Sequence, residues 1–151
     1  MTARRLVLAA GLNSVLAATG VVSIGPAQAT SDVLRAAVAA FARGAPVRDG
    51  RVLLDIAPLV ENGNVVPVSV SVTSPMTAAE HVRRIALFTS RNPQPEVVVL
   101  YLGPRAGRAV VATRLRLATS QQVWAVAELS DGSFWQQGAE VIVTLAACVE
   151  G

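Results

Sequence analysis

One thiol stands in the chain, Cys148, within the run Val141-Ile142-Val143-Thr144-Leu145-Ala146-Ala147-Cys148-Val149-Glu150-Gly151. A free thiol is a usable but slow nucleophile, because at its ordinary pKa of about 8.5 only a few per cent is thiolate near neutrality. In the middle of a buried strand it would pack as a small apolar residue. Three residues from the last one in the sequence it can leave the surface and reach another molecule. No second cysteine is present, so an internal disulfide is impossible. In an oxidising compartment such a cysteine is buried and inert, paired with another chain, or kept as a reactive thiol.

The other chemistry-bearing residues are sparse. His81 is the sole histidine, and one imidazole with one distant thiol does not make a mononuclear zinc or copper site, so no metal is expected. A Cys–His nucleophilic pair is arithmetically available, but no third orienting group or oxyanion loop accompanies either residue. A solvated or partner-contact role suits His81 better than that of a general base. Arg105, Arg108, Arg114 and Arg116 fall in one turn and the strand after it. Arg114 and Arg116, two apart, share a strand face opposite Leu115 and Leu117. They predict either a solvated sheet face or a cationic patch for an anion or an acidic protein. Trp135, beside the Ser130-Asp131-Gly132-Ser133 turn, is the aromatic residue expected at a partner contact.

Export sets the compartment. Arg4 and Arg5, the apolar stretch from Leu6 to Ile24 and Pro26-Ala27-Gln28-Ala29 have the charge, hydropathy and Ala-x-Ala order of a secretory signal cut after Ala29. The paired arginines also fit the twin-arginine route. The mature domain is then residues 30–151, a single domain with no membrane segment. Removing Arg4 and Arg5 from thirteen basic residues leaves eleven against ten acids. So nearly balanced a charge argues against a nucleic-acid surface.

The elements that must position these residues follow from periodicity. Ser31 is expected to cap a helix with Val33, Ala37, Val38 and Phe41 inward, stopped by Gly44. Thereafter the period is two. Residues 51–56 predict a strand, Glu61-Asn62-Gly63-Asn64 a turn, and Val66, Val68, Val70 and Val72, alternating with Pro67, Ser69, Ser71 and Thr73, a half-buried strand. Pro67 belongs near that strand's start or on an edge. Thr77-Ala78-Ala79-Glu80 has capping-box spacing and predicts a short helix to about Phe88, with an irregular crossover as the alternative. Strands follow over 96–102, 108–117, 122–129 and from Glu140. The sum is an all-β fold, an immunoglobulin-like antiparallel β-sandwich with an N-terminal helix and one short accessory helix.

Several ordered segments, Gly50-Arg51-Val52, Val60-Glu61-Asn62-Gly63-Asn64-Val65-Val66-Pro67-Val68, Ser74-Pro75-Met76-Thr77, Asn92-Pro93, Leu102-Gly103-Pro104-Arg105-Ala106 and Ser130-Asp131-Gly132-Ser133-Phe134-Trp135, closely resemble the SoxY family of thiosulfate-oxidation sulfur carriers. The resemblance spans roughly Gly44 to Cys148. It implies a non-enzymatic periplasmic protein without cofactor, exported together with a SoxZ-like subunit as a heterodimer. It also implies covalent attachment of thiosulfate-derived sulfur to Cys148 and presentation of that cargo to separate enzymes of the same sulfur-oxidation pathway. The family's tail is Gly-Gly-Cys-Gly-Gly, whereas here Ala146-Ala147-Cys148-Val149-Glu150-Gly151 replaces the flanking glycines and restricts the arm. The alternatives are an immunoglobulin-like periplasmic interaction module with a structural cysteine and, third, a cysteine-dependent hydrolase.

Overall fold

The computed structural model describes residues Pro26–Leu145. Residues 1–25 of the expected signal segment and the tail with Cys148 lie outside them, while the segment's last four residues, 26–29, are described. Helix α1 runs Pro26–Phe41, followed by strands β1 (Val47–Asp49), β2 (Val52–Ile56), β3 (Leu59–Asn62), β4 (Val66–Val72), β5 (Val82–Thr89), β6 (Glu96–Tyr101), β7 (Val110–Leu115), β8 (Gln121–Leu129) and β9 (Phe134–Leu145). A 3₁₀ turn, Pro104–Ala106, joins β6 to β7. The larger sheet has the order β1-β9-β8-β5-β6, with β3 also on β9, and the smaller has the order β2-β4-β7.

The two sheets face each other as the expected sandwich, and α1 forms a third layer. Val66, Val68, Val70 and Val72 of β4 point inward with Val52, Leu54 and Leu115, against Ile85, Leu87, Val123, Ala125 and Val141 of the larger sheet. On the other side of that sheet, Ala86, Phe88, Val126 and Phe134 receive Leu34, Val38, Phe41 and Ala42. The Phe41 ring meets Phe88 and Phe134 edge-on at 5.7 and 5.9 Å, the arrangement that ring quadrupoles favour. Pro67 is the second residue of β4 and lies past the last β2 partner, the Ile56–Val68 pair.

The structure corrects the sequence reading at four places. Residues 77–88 form no helix. The amide of Glu80 does donate to Thr77 Oγ1 (3.1 Å), but the Thr77 amide donates to the Glu80 carbonyl (2.8 Å) and closes a tight loop. The Glu80 carboxylate goes instead to Arg51 at 2.8 Å. The apolar residues after it become β5, a strand covered on both faces, whose near-continuous hydrophobic run has no period to separate it from a helix. Helix α1 begins at Pro26, so Ser31 lies within it. Leu34, Val38 and Phe41 are buried on it, whereas Val33 is 52 % exposed.

The sandwich is also not wholly antiparallel, because β1 and β3 both pair in parallel with β9. Finally, β9 starts at Phe134, not Glu140, and continues through Gly138. A Cβ there would come within 2.7 Å of Trp124 Nε1, so the missing side chain is what lets the Trp124 indole lie flat on the strand.

Phe88 is the residue through which α1 and the sheet interlock. Phe88→Ala should cost about 3–5 kcal/mol. The check is a lower urea midpoint at unchanged slope.

Candidate functional site

Strand β9 leaves the body of the sheet before it ends. Its pairing with β8 stops at the Gln121–Val141 pair, and beyond that β3 takes over in parallel register, Leu59 with Ile142, Val60 with Val143 and Asn62 with Leu145. The root of the tail is held on both sides. The Val143 amide donates to Ser120 Oγ (2.8 Å), the Leu145 carbonyl accepts from the Gly63 amide (2.9 Å), and Thr144 Oγ1 donates to the Glu61 carbonyl (3.3 Å). Val141 and Val143 point into the core, while Ile142, 54 % exposed, and Thr144 face solvent. Cys148 itself lies outside the described residues.

The four arginines singled out from the sequence do not converge. Arg105 sits in the 3₁₀ turn and Arg108 just after it, both exposed. Arg114 lies on the outer face of the smaller sheet opposite Pro67. Arg116 follows β7, where its guanidinium donates to Asn64 Oδ1 (3.3 Å). The strand separates Arg108 from Arg116 by roughly 26 Å of extended chain. Leu115 and Leu117 are buried opposite Arg114 and Arg116, as alternation requires.

Trp135 is half-buried and engaged by its own chain. Arg48 and Arg51 lie over its ring at 5.6 and 5.2 Å, and Nε1 donates to Ser133 Oγ at 3.0 Å. His81 sits in the loop before β5, its Nδ1 3.1 Å from the Thr77 carbonyl and its amide donating to Ser130 Oγ. No three of the His, Cys, Asp and Glu residues among those described come together as a metal cage. In the adjoining turn the Asp131 carboxyl is held below the ordinary aspartate range by the hydroxyl and amide of Ser133, with Arg51 adding to the effect. A lowered pKa means that this turn's contribution is in place above the ordinary aspartate pKa and lost as pH falls through the lowered one.

A cluster that residue spacing does not announce is built around Glu128, 2 % exposed near the end of β8. Arg84 donates from Nε to Oε2 at 2.5 Å and pairs again through Nη2. Arg43, two residues past α1, donates to Oε1 at 2.8 Å, and Arg83 stands 3.9 Å from the same oxygen. The Arg84 guanidinium also lies over the Phe41 ring at 4.3 Å, so the ion pair and the helix packing share one residue. The available signal was a single carboxylate in the apolar run Val126-Ala127-Glu128-Leu129, since a charge there must find a partner.

Removing Glu128 strands Arg84 in a half-dry site. Glu128→Gln should therefore cost about 3 kcal/mol or more, whereas Arg83→Gln, at the exposed end, should change stability by less than about 1 kcal/mol. Thermal unfolding of the two variants separates them.

Comparison with known proteins agrees with this architecture. The structure of the sulfur carrier protein SoxY from Chlorobium limicola f thiosulfatophilum superposes with a TM-score of 0.64 at 26% identity, covering 76% of this chain and 94% of that one. Superoxide reductase (neelaredoxin) from Ignicoccus hospitalis superposes with a TM-score of 0.56 at 21% identity over 62% of this chain and 80% of that one. The superoxide reductase from Nanoarchaeum equitans does so with a TM-score of 0.53 at 10% identity over 64% and 100%. At those identities the reductases share the fold alone. No curated protein matches the sequence. A family model described as sulfur oxidation protein SoxY matches residues 37–148, and the chain belongs to the SoxY family.

Proposed function

We propose that this protein is a non-catalytic carrier of sulfur intermediates, which holds its cargo covalently on Cys148 and presents it to separate enzymes. The observation that carries the reading is the family match, which runs to residue 148, the position of the cysteine. The neighbouring SoxY structure, described as a sulfur carrier protein, supports it.

In the described part of β9, Ile142 and Thr144 are on the solvent-facing side. That part is hydrogen-bonded up to Leu145, three residues before Cys148 in the sequence.

The loading step joins the outer sulfur of thiosulfate to the cysteine sulfur. It forms one S–S bond and releases the thiol proton and two electrons to an oxidant supplied by a partner enzyme. Water then cleaves the bond to the sulfone, sulfate leaves with two protons, and a persulfide anion remains on the cysteine. Neither step draws on a general base in this chain, in keeping with the position of His81. The same reading places the protein in the periplasm after cleavage at Ala29, in a heterodimer with a SoxZ-like subunit. No helix among the described residues is long and apolar enough to cross a membrane.

Intact-mass measurement of protein taken from thiosulfate-grown cells tests the reading. The expected result is added sulfur or thiosulfonate mass on the peptide containing Cys148, absent from Cys148→Ser. A bare thiol or only disulfide-linked dimers would overturn it. In the native state, a small alkylating reagent should label Cys148 at the rate of an unfolded thiol.

A further inference from the structure

The Glu128 cluster has more positive charge than its ion pairs use. Three guanidiniums face one carboxylate, and even with Glu96, which lines the adjoining hollow beside Arg43 and Arg84, one positive charge is left over. Two backbone irregularities bring them there. The register of β5 on β8 passes from Val82 opposite Leu129 to Arg84 opposite Glu128, so Arg83 is an inserted residue in a β-bulge. Neighbours on a regular strand point to opposite faces, but the bulge lets Arg83 and Arg84 both reach Glu128. Arg43 occupies the left-handed region with φ 53°, where a side chain is disfavoured and glycine is usual at a helix end. A merely solvated basic face requires neither feature.

The arginines border an open depression of about 520 Å³, completed by His81, Tyr101, Leu102, Gly103 and Pro104. Glu128 occupies Arg84 and one nitrogen of Arg43. Among the described residues the Arg83 guanidinium makes the 3.9 Å contact to Glu128 and is 57 % exposed, which leaves its planar fork of donors at the rim. Tyr101, 77 % exposed, stands in the same rim with its hydroxyl. Guanidinium forks bind a tetrahedral oxyanion through paired, charge-assisted hydrogen bonds.

We propose that this basin binds a small sulfur oxyanion, sulfate or thiosulfate, non-covalently, with Arg83 and Arg43 as its principal ligands. Glu128 lies opposite Phe134, at the start of β9, whereas Cys148 follows the last residue of that strand in the sequence. The geometry by itself points to a tetrahedral oxyanion. The choice of sulfur over phosphorus rests on the carrier reading above.

Calorimetric titration of the full chain carrying Cys148→Ser, which excludes covalent loading, with sulfate, thiosulfate and phosphate at matched ionic strength provides the test. The expected result is saturable binding of the sulfur anions, weakened about tenfold in Arg83→Gln and in Arg43→Gln, since one charge-assisted contact is worth about that factor. Amide shifts on sulfate addition should be confined to residues 43, 81–84 and 101–104. No saturation with any of the three anions, or unchanged binding in both arginine variants, overturns the site. Phosphate binding tighter than either sulfur anion overturns the assignment to sulfur. Neither result bears on the mass of Cys148, so failure here and failure of the carrier reading are distinguishable.

Discussion

The constraint on which the rest of the structure depends is that β5 and β8 are covered on both faces. The smaller sheet closes one side and α1 much of the other, so most positions on the central pair of strands are buried and a charge there carries a cost. Glu128 is placed there nonetheless, and it is tolerated because Arg84 and Arg43 complete its hydrogen bonds. Arg43 comes from the end of the helix and Arg84 from the neighbouring strand, so the buried ion pair ties the outer layer to the middle one. The stacking of Arg84 on Phe41 makes polar and apolar contacts between these layers interdependent.

Strand β9 connects that interior to the part of the chain on which function is proposed to rest. Its first half is an inner strand between β1 and β8, with Phe134 packed against α1. Its second half passes to β3 and is secured through Leu145 by side-chain and main-chain bonds. The larger sheet is therefore hydrogen-bonded along β9 from Phe134 to Leu145. A carrier needs a body held in this way, because a body that can be recognised by several enzymes must not move with the group being passed among them. In sequence, Ala146, Ala147 and Val149 have fewer backbone states than the glycines they replace in the family's tail.

The features legible in the chain were those set by short-range chemistry. The valine alternation of β4, the turns at Asn62-Gly63 and Asp131-Gly132 and the helix before Gly44 each follow from a few adjacent residues, and all are present. So was the isolation of Cys148, which needs only a count. Resemblance over long ordered motifs brought the family within reach, because such motifs record a whole domain at once. The run from Thr77 to Phe88 was different. Its cap spacing favoured a helix and its apolar residues had no clear period, and the outcome turned on the strands β6 and β8 lying on either side of it.

The candidate site divides along the same line. Residue types and order were sufficient for an outward Arg114 and Arg116, since alternation is a local rule. They could not gather Arg43, Arg83, Arg84 and Glu128, which come from the end of a helix, a bulge and a distant strand and share no spacing. Nor could they reveal that Arg108 and Arg116 lie at opposite ends of β7, or that Trp135 is enclosed by Arg48 and Arg51. Contacts between residues far apart in the chain exist only once strand order and register are set, and these depend on how all three layers bury their apolar faces together.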